Sequence, residues 1–120
     1  VLLAARILNA LDYVGILGVE LFVTPKGLII NEIAPRVHNS GHWTQNGCAV
    51  DQFEQHIRAV AGLTLGDGSR HSDVEMENLI GDDIDKIPTI LAEKNAALHL
   101  YGKSSARAGR KMGHANRIKP

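Results

Sequence analysis

With 120 residues, 44% of them hydrophobic, the chain is long enough to bury the core of one domain. Thirteen Lys and Arg balance thirteen Asp and Glu, so no net charge directs it to nucleic acid or to a membrane surface. A single cysteine, Cys48, excludes an internal disulfide and suits a reducing compartment, and no apolar run reaches the roughly eighteen residues of a membrane span.

The opening VLLAARILNALDYVGILG is apolar but lacks a basic start and a small-residue cleavage site, so it is not read as a signal peptide. The chain starts at Val1 in what reads as the middle of an element, and a fragment of something longer is expected. Leu2, Leu3, Ile7, Leu8 and Leu11 share one helical stripe, which predicts an amphipathic helix over 1–13. Gly15 and Gly18 then punctuate the change to GVELFV. Thr24-Pro25-Lys26-Gly27 has the chemistry of a turn, and LIINEIA is the returning strand, so residues 15–34 make a hairpin. VDQFEQHIRAVAGL is a second amphipathic helix and GDGSRHSD a loop. DVEMENLIG is a strand, DIDKIPTILAEK a short helix interrupted near Pro88, and AALHLYGK another strand. SSARAGR is a flexible loop and KMGHANRI a last short strand. Mixed strands and helices without strict alternation imply an α+β fold.

Glu20 and Glu32 stand out in the hairpin. The turn lies midway between them, so a three-residue loop would set them directly opposite, and a two- or four-residue loop would offset them by one position. An ideal hairpin puts Phe22, Leu28 and Ile30 on their face, and Val19, Leu21, Val23, Ile29 and Ile33 on the other. Two carboxylates opposed on an apolar sheet repel each other, and a bound cation is the simplest compensation. Mg²⁺ is commonly held by one or two carboxylates with phosphate oxygens and water. The plainer alternative is an acid solvated at the sheet edge. Asn31 would take part only if a twist or bulge turned it to the same face.

The strand empties into Arg36, His38, Asn39, Ser40, Gly41 and His42. Arg36 offers a planar fork for phosphate or carboxylate, and His38, Asn39 and Ser40 can donate to an anion or a sugar hydroxyl. These residues could equally bond only to backbone. Pro35 and Gly41 argue against a helix there and hence against a His38–His42 zinc pair. From Lys103 onward come six Lys or Arg and no acid. Lys103 and Arg110 flank a Gly- and Ser-containing loop that suits a phosphate dianion, with a solvated tail as the plainer reading. His56 and His71 read as solvated, His99 and Tyr101 as half-exposed strand residues, Trp43 as a packing anchor and Cys48 as a small buried side chain.

GVELFV followed by NEIAPRVHNSGHWT, then LHLYGK with RAGRKMGH, resembles the C-terminal half of the 5-(carboxyamino)imidazole ribonucleotide synthases, ATP-grasp enzymes of de novo purine synthesis. The resemblance implies the C-terminal half of an ATP-grasp domain over 1–66 and a small β-rich C-terminal domain over 67–120. It implies that Glu20 and Glu32 bind Mg²⁺, that Asn31 joins them at ATP, and that Arg36, His38, Asn39 and Ser40 line the 5-aminoimidazole ribonucleotide site, with Arg36 catalytic. Lys103 and Arg110 resemble the pair that grips the ribonucleotide phosphate. It further implies bicarbonate as co-substrate, a cytoplasmic homodimer, no nucleic-acid partner, and a missing N-terminal half without which the chain is inactive. Val37 departs from the family, which commonly has a second Pro there. The alternatives are a formate-dependent ATP-grasp transformylase of glycinamide ribonucleotide and a non-catalytic nucleotide-binding module.

Overall fold

The computed structural model describes residues 2–119; Val1 and Pro120, the ends of the predicted first helix and second domain, lie outside the described residues, as does the side chain of Leu2. The first helix, α1, spans Leu2–Leu11, and its Ile7, Ala10 and Leu11 line a groove against Ile30 and Ile33 of the hairpin. Of the apolar stripe read from the sequence, Ile7 and Leu11 face this groove, while Leu3 and much of Leu11 stay exposed. The chain then turns at Gly15 (φ 130), where the Ile16 N–H donates to His56 Nδ1 at 3.1 Å. His56 therefore braces this turn, in contrast to the solvated side chain expected.

The hairpin consists of β1 (Gly18–Thr24) and β2 (Gly27–Ala34), antiparallel. Its turn holds two residues, Pro25 and Lys26, and the Thr24 hydroxyl donates to the Gly27 carbonyl at 2.8 Å. The polar segment after β2 is not plain loop. It forms a 3₁₀ turn at Asn39–Gly41 and a single-turn helix, α2 (Thr44–Gly47). Helix α3 (Gln52–Val60) follows, and Asp51 caps it by accepting from the N–H groups of Phe53 and Glu54 at 2.8 and 3.0 Å.

Beyond residue 73, β3 (Val74–Ile80) leads through a 3₁₀ turn (Gly81–Lys86) into α4 (Ile87–Leu91), with Pro88 in its first turn, where no N–H is needed. Strands β4 (Ala96–Leu100) and β5 (Lys111–Ile118) complete an antiparallel sheet of order β3-β5-β4. The last strand is thus the central one. On one face of this sheet Leu79, Ile90 and Ala115 are fully or almost fully buried, with Ala96 and Leu98 against them. Arg117 on the central strand bonds Glu77 of β3 and Glu93 in the turn before β4, and both carboxylates raise the affinity of its guanidinium for its proton. The other face carries Met112, His114 and Asn116, all buried, and that face meets the polar loop and α2. The architecture is α+β, as expected.

Candidate functional site

The two-residue turn alone would set Glu20 against Asn31. Instead the ladder shifts between Glu20 and Leu21: Glu20 pairs with Glu32, Leu21 with Ile30, and Asn31 is left as the extra residue of a β-bulge. The bulge has three effects. It places the carboxylates directly across the hairpin, and it brings the Asn31 amide to Glu20, Nδ2 lying 3.3 Å from Oε2. It also reverses the start of β2, so that Ile29 pairs with Phe22 on the acid face while Leu28 and Ile30 pair with Val23 and Leu21 on the opposite one. The ideal-strand expectation for Leu28, Ile29 and Ile30 is corrected accordingly.

His38 completes this cluster. Its Nε2 lies 3.4 Å from Glu20 Oε1, and one ligand atom from each of Glu20, Glu32 and His38 falls within 4.8 Å of the others. The His38 side chain caps the 3₁₀ turn: Nδ1 accepts from the Ser40 N–H at 3.4 Å and lies 2.8 Å from the Ser40 hydroxyl. Accepting at Nδ1 leaves the ring proton on Nε2, pointed at Glu20. The side chain of His38 is 13% exposed and that of Glu20 45%, so a half-open carboxylate pair sits beside an ordered loop. Paired carboxylate oxygens with a neighbouring amide are a donor set that suits a hard divalent cation, and the imidazole is better employed orienting Glu20.

What orders the loop is Gln52, a residue not singled out in the sequence. It is 6% exposed, at the first position of α3. Its Oε1 accepts from the His38 N–H at 3.0 Å, and its Nε2 donates to the His38 carbonyl at 2.9 Å and to His42 Nδ1 at 2.8 Å. A Cβ on Gly41 would run into this amide, so only glycine lets the turn close on Gln52. Likewise a Cβ on Gly18 would lie 2.9 Å from His38 Cβ, which is why the first residue of β1 is bare. Asn39 turns the other way and exchanges two amide hydrogen bonds with Asn78 on β3, at 2.6 and 3.0 Å. Arg36 is exposed and donates to the Val37 carbonyl at 2.9 Å, and among the described residues no acid pairs with its guanidinium. Arg36, His38 and Ser40 therefore line the loop's open side, and Asn39 pins it to the C-terminal sheet.

Behind the loop four rings form a column. Phe53 stacks on His42 (5.5 Å between centroids), His42 on His114 (4.6 Å) and His114 on His99 (4.6 Å), the planes inclined by 15–18°. Burial lowers the proton affinity of all three imidazoles, and for His114, with His42 and His99 adding like-charge repulsion, the pKa drops from 6.5 to about 4. His99 is half-buried in this column and Tyr101, just past the end of β4, is 36% exposed, so the half-exposed reading holds for both. Asn116 donates to the His42 carbonyl at 3.0 Å and to Asn46 Oδ1 at 2.8 Å, and His99 Nε2 shares that same oxygen at 2.9 Å. The sequence carried one signal for this: His114 and Asn116 alternate with Gly113 and Ala115 along a strand that has no apolar face of its own.

On the far side of the column, the Lys103 ammonium lies 5.6 Å from the Tyr101 ring centre and donates to the Lys111 carbonyl at 2.6 Å. Arg110 donates to the Ser105 carbonyl at 3.2 Å, and both Lys103 and Arg110 are half-buried. They flank one loop, as the sequence indicated. Trp43 packs against Gly47 and Val74, and Cys48 is buried. Among the described residues, no helix is long and apolar enough to cross a membrane.

Comparison with known proteins gives matches of one kind along the chain. A model of the ATP-grasp domain matches residues 1–53, and one of the phosphoribosylaminoimidazole carboxylase C-terminal domain matches residues 75–120. The N5-carboxyaminoimidazole ribonucleotide synthase of Brucella melitensis is 70% identical over 118 residues, covering 98% of this chain and 33% of that protein. A solved N5-carboxyaminoimidazole ribonucleotide synthetase in complex with ADP superposes with a TM-score of 0.91 at 45% identity, over 97% of this chain and 31% of that one. The Aspergillus clavatus enzyme in complex with ADP and 5-aminoimidazole ribonucleotide superposes at 0.83 with 38% identity, over 88% of this chain and 30% of that one. The chain therefore spans about a third of the length of the relatives it matches. Over nearly its whole length the chain is similar to the N5-carboxyaminoimidazole ribonucleotide synthases, as a segment joining the close of the ATP-grasp domain to the C-terminal domain.

Proposed function

We propose that the full-length protein containing this chain joins bicarbonate to the exocyclic amine of 5-aminoimidazole ribonucleotide at the expense of ATP. The products are N5-carboxyaminoimidazole ribonucleotide, ADP and phosphate. The observation that carries this reading is the carboxylate pair registered across the hairpin beside the ordered donor loop. Glu20 and Glu32, with Asn31 next to them, would hold Mg²⁺, whose charge would neutralise nucleotide phosphates.

This chain's own residues do the rest by positioning. His38 fixes the Glu20 carboxylate through its Nε2 proton. The Arg36 guanidinium, on the open side of the loop, is placed to draw in the anionic carboxyl donor and to balance charge while the amine nitrogen bonds to carbon and phosphate departs. His38 and Ser40 offer hydrogen bonds to the ribonucleotide, and Asn39 serves that site by holding the loop on β3. Lys103 and Arg110 grip the ribonucleotide phosphate from the C-terminal sheet. Bringing the reactants together in this geometry replaces a collision between dilute partners by a reaction within one complex.

The same reading divides the chain at residues 66/67, a boundary that falls in the interval between the two family matches. Phe22, Val23, Leu28 and Ile29 are 55–85% exposed, and the rest of the ATP-grasp domain would cover them. A cytoplasmic homodimer completes the proposal. Release of ADP by the full-length protein, with ribonucleotide and either bicarbonate or formate, tests it. Release that needs both ribonucleotide and bicarbonate is expected. Release driven by formate, or none that depends on the ribonucleotide, would overturn it.

A further inference from the structure

We propose that His114 is a positioning residue that sets the substrate loop at a fixed distance from the phosphate-gripping loop, through a contiguous path from His42 by way of His114 and Tyr101 to Lys103. The inference rests on the functional reading above for the names of the two loops, and on side-chain geometry for the link between them.

His114 is 1% exposed at the centre of the middle strand. One face of its ring stacks on His42, which belongs to the loop that Gln52 holds, and the other face stacks on His99 of β4. Its Nδ1 meets the Tyr101 hydroxyl at 2.8 Å, and the Tyr101 ring in turn carries the Lys103 ammonium. Asn116, two residues along on the same face, holds the His42 carbonyl. Every link is a direct contact, and the path runs from one half of the proposed ribonucleotide site to the other.

An imidazole is a costly way to fill that volume. Among the described residues its buried Nε2 has no hydrogen-bond partner, and Asn116 Oδ1 is in the same state. An apolar ring would avoid the orphaned atom and pack as well, but it would leave the Tyr101 hydroxyl unpaired and free the ring beneath Lys103. Directional bonding, rather than burial, is what histidine adds here. The face of the sheet toward the loop is therefore built for registration, whereas the opposite face, with Leu79, Ile90 and Ala115, is built for stability.

The test uses the full-length protein and two variants, His114→Phe and the milder Tyr101→Phe, which deletes only the hydroxyl. Backbone hydrogen exchange is compared over 38–46 and 102–110, and KM is measured separately for ribonucleotide and for ATP. Positioning predicts faster exchange in both loops in both variants. It also predicts a ribonucleotide KM raised about tenfold in His114→Phe with the ATP KM within about twofold of wild type. Exchange faster only in β4 and β5, or the two KM values rising together, would overturn it. Wild-type protein that shows no ribonucleotide-dependent ADP release would refute the functional reading instead, and the exchange comparison would then decide the coupling by itself.

Discussion

Replacing Gln52 by Leu removes a latch while keeping nearly the same volume. Gln52 satisfies the N–H and the carbonyl of His38 and one nitrogen of His42. Leu would fill the space but pair with none of them. A buried polar group left without a partner costs about 1–3 kcal/mol, and water can reach part of this half-buried loop, so a loss of about 2–4 kcal/mol is expected in total. Because the released groups belong to the loop, the loss should show there first. In the full-length protein, hydrogen exchange at His38–His42 should accelerate, Tm should fall, and the ribonucleotide KM should rise more than that for ATP. An unchanged Tm with unchanged exchange at His38 would refute the reasoning, because it would mean that the loop holds its shape without the amide.

Acid should weaken the fold through the histidine column. His114 titrates at about 4 when folded and near 6.5 when unfolded, so between those values the unfolded chain binds more protons and stability falls as pH drops. This amounts to about 3 kcal/mol at most, lost from pH 6.5 down to 4, with His42 and His99 shifting in the same direction and Tyr101 neutral throughout. His114→Phe should flatten the fall of Tm between pH 7 and 5; an equally steep fall would assign the acid sensitivity elsewhere. Lys103→Ala should raise the ribonucleotide KM with little change in kcat, and an unchanged KM would remove the phosphate role. Gly113→Ala would bring a Cβ to 2.5 Å from the His99 carbonyl across the central strand pair, so it should depress Tm far more than Gly109→Ala in the open loop.

The hairpin was legible in the sequence because alternation and the Pro-Lys-Gly turn are local signals, and so was the presence of an acid pair. The bulge at Asn31 was not legible. A two-residue turn and a three-residue turn read alike at that resolution, and only the ladder shows which residue is left over. The polar loop after β2 announced itself by its crowd of donors, but Asn39 differs from its neighbours only through Asn78, 39 positions away. Gln52 carried no signal at the start of its helix, and the half-exposed reading of His99 and Tyr101 gave no sign of their bonds to Asn46 and His114. In each case the polar group bonds to a partner distant in sequence, and periodicity carries no information about such partners. The central place of the last strand in its sheet is likewise a tertiary fact that its composition does not record.

The most direct measurement is made on Glu32→Gln in the full-length protein, recording ribonucleotide-dependent ADP release beside ribonucleotide binding and Tm. Gln keeps the size of the side chain and removes one of the two opposed charges. The account predicts that release is lost while ribonucleotide binding and Tm are maintained or, with the repulsion gone, Tm rises slightly. Near-normal release would contradict it, because the carboxylate pair across the hairpin would then have no part in the chemistry.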